Sequence, residues 1–143
     1  MRFHLEIPCE RAHLASLLSA IDQALHAHAV TGALREDLHL IAEEVACNAI
    51  DHGDSGGERA ASRHLVVGIT RDDDDLHVEF RDNGRPFDPL AQEAPDLDAH
   101  ILERPIGGLG VHLVRELAHS IRYRREGPYN VLHVVLRTAD RSR

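Results

Sequence analysis

Between Leu34 and Gly53 apolar residues recur at steps of three and four, and three polar side chains intrude on the repeat. Leu34, Leu38, Ile41, Val45 and Ala49 form one stripe of a helix expected over residues 34–51, because successive helical residues turn by about 100°. On that wheel Asn48 falls about 20° from Ile41, inside the stripe, and Glu44 about 60° away, on its border. Glu43 points about 160° away, toward solvent. A carboxylate and an amide held against a core cost free energy unless something pairs with them. Either neighbouring backbone satisfies Glu44 and Asn48, or a ligand does. His52 continues the ridge one turn beyond Asn48.

Two later segments carry the same kind of signal. In Leu76-His77-Val78-Glu79-Phe80-Arg81-Asp82, alternate residues share one strand face, so an apolar face ends in the Asp82 carboxylate just before Asn83-Gly84. Further on, Pro105-Ile106-Gly107-Gly108-Leu109-Gly110-Val111 opens into an expected helix over 111–118. Glycines let a backbone approach a ligand closely, and a helix start offers free N–H donors and partial positive charge to phosphate. Taken singly, an Asp-x-Gly is a turn and a glycine pair is a packing loop.

Taken in order, Glu44-x-x-x-Asn48, Asp82-x-Gly84-x-x-Phe87 and Gly107-Gly108-Leu109-Gly110-Val111 resemble the GHKL (Bergerat-fold) ATP-binding superfamily. The wording Asn48-Ala49-Ile50-Asp51-His52-Gly53 is similar to its anti-sigma-factor serine/threonine kinase branch. The resemblance runs from the first strand to the last. It implies an α/β two-layer sandwich with helices on one face of a mixed, mostly antiparallel sheet, formed by one domain over 1–143.

It also implies a site for ATP and Mg2+. Asp82, an acceptor-only carboxylate, suits the exocyclic amine of adenine and repels the guanine carbonyl. Gly84 lets the chain pass beneath the base, and Phe87 packs beside it or fills the core. The side-chain oxygen of Asn48 suits Mg2+, a hard cation. His52 donates to a phosphate oxygen or caps its helix, while the backbone of Gly107, Gly108, Leu109, Gly110 and Val111 cradles phosphates. Glu44, one turn before Asn48, would be the catalytic base for a serine or threonine hydroxyl. Arg104 would meet the developing charge from the end of an ATP lid over about 88–106, a segment without clean periodicity.

The partners implied are an anti-sigma-factor antagonist as substrate and a sigma factor, or another bacterial regulator, as target, with homodimerisation carried over from the same resemblance. Two other readings stay open. One is a partner-switch module that binds ATP with little or no transfer. The other, a histidine-kinase catalytic domain, is disfavoured, because no acceptor hairpin is expected ahead of this domain.

Composition sets outer bounds. The 143 residues suit one domain, and the net charge of −8 argues against direct nucleic-acid binding. All 16 basic residues are Arg, so any cation on a phosphate from this chain is Arg or His. Cys9 and Cys47 fit no metal or redox spacing, and the 12 histidines are scattered. No apolar run is long enough for a membrane span, and the cytoplasm is the expected location. The remaining expected elements are a first strand over 2–7, a helix over 9–28, a strand over 65–69, and a closing hairpin of 121–125 with 131–137 around a loop at 126–130.

Overall fold

The computed structural model describes residues 1–30, 32–52, 63–91 and 108–137, with the backbone alone for 108–111. Strand β1 (Arg2–Pro8) leads through a 3-10 turn at Arg11–His13 into α1 (Leu14–Ala27) and α2 (Ala33–His52). Strands β2 (His64–Asp72) and β3 (Asp75–Asp82) follow, then a 3-10 turn at Pro89–Ala91, α3 (Gly108–Leu117), β4 (Ser120–Glu126) and β5 (Tyr129–Arg137). The sheet order is β1-β2-β3-β5-β4. Every pairing among these strands is antiparallel, so the sandwich is as expected but the sheet carries no parallel pair.

Alternation builds the core layer. Leu65, Val67 and Ile69 of β2, Leu76, Val78 and Phe80 of β3, and Leu132, Val134 and Leu136 of β5 share one hydrophobic cluster with Leu17, Ile21 and Leu25 of α1. The register stacks Val67, Phe80 and Leu132 in one row across the sheet, and Ile69, Val78 and Val134 in the next. The following row toward the end of β3 is Leu65, Asp82 and Asn130. Both polar members of that row therefore stand on the face that the helices cover.

Helix α2 is rolled slightly from the position its large apolar residues suggest. Ala42 and Ala46 are fully buried, whereas Val45 is half-buried and lines a pocket. Small side chains let a helix sit close to its neighbours, and α2 packs on both α1 and α3. Glu43 is correspondingly less free than the wheel implied, with its carboxylate 3.9 Å from His39 Nε2.

Three boundaries differ from the sequence expectation for identifiable reasons. Helix α1 begins at Leu14 rather than near Cys9, because the Cys9 N–H extends the sheet by donating to the Arg63 carbonyl at 3.0 Å. Helix α3 begins at Gly108, which places Gly108 and Gly110 in its first turn. N–H groups there have no intrahelical partner, so the poor helix propensity of glycine matters less. The closing turn shrinks to Gly127-Pro128, since Glu126 pairs directly with Tyr129. Gly127 has φ 57°, and the proline ring then holds φ negative, the combination of a type II′ hairpin turn. Asn130 thus belongs to β5 and not to a loop.

Helix α1 ends in a Schellman motif, with Val30 N–H on the Leu25 carbonyl at 2.8 Å and Ala29 N–H on that of His26 at 3.1 Å. Val30 and Leu25 are both buried, which supplies the apolar contact of that motif. Ala29 occupies the left-handed position at φ 62°, where a Cβ costs about 1 kcal/mol. Ala29→Gly should therefore stabilise the protein by about 0.5–1 kcal/mol. A urea midpoint that does not rise, at unchanged m-value, would show that Ala29 carries no such strain.

Candidate functional site

A pocket with about 540 Å³ of empty space, its mouth included, opens between α2 and the end of β3 that carries Asp82. Its walls are mainly apolar, from Val45 and Ala49 of α2, Phe80 of β3, Val114 of α3 and Leu132 of β5. Three polar side chains from three elements face it, namely Asn48, Asp82 and Asn130, joined by Tyr123. A largely apolar cleft with a few convergent polar groups is the usual form of a small-molecule site.

Asp82 is held from one side. Its Oδ1 accepts the Gly84 N–H at 2.9 Å and Asn130 Nδ2 at 3.1 Å. Among the described residues Oδ2 makes no hydrogen bond, which leaves it to accept from a ligand. Burial pushes the carboxyl above its usual range, opposed by the Asn130 and Gly84 hydrogen bonds and by the charges of Arg63 and Arg125. Gly84 itself is buried beneath this carboxylate.

Asn48 is 9% exposed and lines the same pocket. Its side-chain amide makes no hydrogen bond to any described residue. An amide that lines a pocket without a described protein partner fits a ligand or cation with oxygen preference.

The remaining expected residues fall around this centre. Phe87 lines the pocket, and its ring stacks on His52 with centroids 4.6 Å apart and planes 6° from parallel. His52 closes the end of α2 behind Phe87, where its carbonyl accepts Arg85 Nε at 2.7 Å. Glu44 lies outside the pocket wall, half-buried on α2 one turn before Asn48, and makes no hydrogen bond or ion pair to a described residue. Desolvation, and then the neighbouring charge of Glu43, raise its pKa above the usual carboxylate value. Gly108, Leu109, Gly110 and Val111 form the first turn of α3. Gly107, Arg104 and all but the start of the lid segment, 92–106, lie outside the described residues.

Two neighbours of this site were missed by the sequence reading. Arg63 is buried at the start of β2, where its guanidinium donates to the Ala49 carbonyl near the end of α2 and to Cys9 Sγ at 3.4 Å. It thereby satisfies a helix-terminal carbonyl and places positive charge near Asp82. Asn130 is 6% exposed and holds Asp82 directly. A signal for it existed: Asn130, Leu132, Val134 and Leu136 alternate as Leu76, Val78, Phe80 and Asp82 do, with a polar residue at one end.

Known proteins resemble this chain in sequence and in fold. The serine/threonine-protein kinase BtrW of Bordetella bronchiseptica is 33% identical over 109 residues, which is 76% of this chain and 75% of that protein. The histidine kinase domain of the Erythrobacter litoralis EL346 blue-light activated histidine kinase superposes with a TM-score of 0.54 over 94% of this chain. At 21% identity that likeness concerns the fold, and the chain spans 63% of that structure's length. Residues 7–136 match the histidine kinase-like ATPase domain, and the chain belongs to that family.

Proposed function

We propose that this chain is an ATP-dependent protein serine/threonine kinase that phosphorylates an anti-sigma-factor antagonist and sequesters a sigma factor or a similar bacterial regulator. Family membership supports ATP as the nucleotide, and the likeness to a serine/threonine-protein kinase supports hydroxyl side chains as acceptors. The observation that carries the reading is the pairing, in one pocket, of a one-sided carboxylate on β3 with an unpartnered amide on α2. Oδ2 of Asp82 would accept the adenine amine, with the apolar walls flanking the base. Asn48 would hold Mg2+, which when bound would supply positive charge against the phosphates. The first turn of α3 would donate backbone N–H groups to the phosphates.

Glu44 is the proposed base. Residues four apart on a helix stand about 6 Å apart along its axis, so its carboxylate is close to whatever Asn48 holds. In the transfer step, the acceptor hydroxyl oxygen bonds to the terminal phosphorus, its proton passes to Glu44, and the bond to the leaving oxygen breaks. A carboxylate with a raised pKa is better matched to that proton than an exposed one.

Base recognition is tested at Asp82. Asp82→Asn can keep both hydrogen bonds at Oδ1 while replacing the acceptor Oδ2 by a donor. ATP affinity should fall about ten- to a hundred-fold, the worth of one charge-assisted hydrogen bond. Stability should move the other way. The folded-state pKa of Asp82 is raised, so its ionisation opposes folding, an effect absent below the unfolded pKa and complete above the folded one. The stability of the variant relative to the wild type should therefore rise as pH increases through that window. Calorimetry with unchanged ATP affinity would remove Asp82 from the site.

Catalysis is tested at two adjacent glutamates. Glu44→Gln should leave ATP affinity nearly unchanged and slow transfer by about 10²–10⁴-fold. Glu43→Gln should alter both little, since it loses only a long contact to His39. With labelled ATP and a purified antagonist, equal transfer by wild type and Glu44→Gln would refute the base assignment. ATP binding without transfer by the wild type would favour a nucleotide-dependent binding module.

A further inference from the structure

Among the described residues, Asn130 has more hydrogen bonds than any other side chain near the pocket. Its Oδ1 accepts from Tyr123 Oη at 2.6 Å, from the Phe87 N–H at 3.1 Å and from Arg125 Nη1 at 3.2 Å. Its Nδ2 donates to Asp82 Oδ1 at 3.1 Å and to the Arg85 carbonyl at 2.8 Å. These partners fix the amide orientation, because a flipped amide would set its NH2 against three donors and its oxygen against two acceptors. The register explains the position, since Asn130 is the direct cross-strand partner of Asp82.

The consequence is a mechanical link. Asp82 and the backbone of residues 85–87 lie on opposite sides of the Asn83-Gly84 turn, and Asn130 bonds to both. Arg125 braces the same turn by donating to the Gly84 carbonyl at 2.9 Å. An asparagine held at both ends cannot shift toward one set of partners without lengthening its bonds to the other.

We propose that Asn130 is a positioning residue that dedicates one oxygen of Asp82 to the protein, leaves the other for the base, and ties that carboxylate to the chain at Arg85–Phe87. The proposal deepens the ATP reading of Asp82 and rests on it for the identity of the base. It adds that the occupant of Asp82 is sensed at Phe87, whose ring lines the pocket and stacks on His52. The charged and titratable groups around Asp82 are Arg63 ahead of β2, Arg125 and Tyr123 on β4, and Cys9 after β1. Asn130 supplies the largest influence opposing the desolvation of Asp82.

Two variants of the full chain separate the two ends of the link. Asn130→Ala removes both ends, whereas Asn130→Asp keeps an acceptor for Phe87, Tyr123 and Arg125 but places a second carboxylate against Asp82. The Asp82 carboxyl carbon would be titrated by NMR without nucleotide, ATP affinity measured against pH, and exchange of the Phe87 amide followed. In Asn130→Ala the Asp82 midpoint should rise by about one pH unit and ATP affinity fall about tenfold, with deprotection of the Phe87 amide. In Asn130→Asp the midpoint should rise further and affinity fall about a hundredfold, with the Phe87 amide still protected. The ATP affinity profile of each variant should shift along the pH axis with its Asp82 midpoint, and comparison with wild type cancels the titration of the nucleotide.

An Asp82 midpoint unchanged in both variants, or a Phe87 amide equally protected in wild type and Asn130→Ala, overturns the proposal. Should Asn130→Ala not fold, the Asp82 midpoint and affinity profile of Asn130→Asp decide alone. A wild type without ATP affinity whose Asp82 midpoint still shifts in the variants sinks the ATP reading and supports the link.

Discussion

A carboxylate brought into an apolar pocket is the constraint around which this molecule is arranged. Ionised Asp82 loses water on folding, and burial alone would push it toward its protonated form. The fold answers with two hydrogen bonds to the same oxygen and with two arginines at a distance. Satisfying one oxygen and not the other offsets part of that cost and leaves an acceptor for a ligand. Gly84, Asn130, Arg63 and Arg125 come from four separate places in the chain, so this arrangement requires the whole sheet and the end of α2 to be assembled.

Helix α2 meets two demands along its length. Toward its start, Leu34, Leu38 and Ile41 bury a conventional apolar face. From Ala42 onward the buried apolar positions are alanines, and the helix lies close enough to its neighbours for Val45, Asn48 and Ala49 to line the pocket. Glu44 sits just outside that wall with a raised pKa and without a described protein partner. A helix optimised only for stability would place apolar residues at 44 and 48. Polar groups at these two positions are what the proposed nucleotide site would require.

Much of this was legible before any coordinates. Asn48 announced itself as a polar residue inside an apolar stripe, and Asp82 as a charge ending an apolar alternation. Both signals are local periodicities broken at one place. Asn130 breaks an alternation in the same way, yet the adjacent Glu126-Gly127-Pro128 drew it into an expected loop. The two-residue turn returned it to β5. The roll of α2 was less accessible, because alanines add little to an apolar pattern while their small size governs how closely helices approach.

Periodicity in the chain was sufficient for the helices, for the strands, and for which residues face inward, since each depends on neighbours a few positions away. It could not specify that β5 inserts between β3 and β4, nor that Asp82 pairs with Asn130. Alternation with period two assigns a face but not a partner strand, and many registers satisfy the same inward pattern. That choice rests on contacts between residues 48 positions apart in sequence, and the assembled sheet alone makes them. The pocket, the one-sided Asp82 and its tie to Phe87 all follow from that pairing.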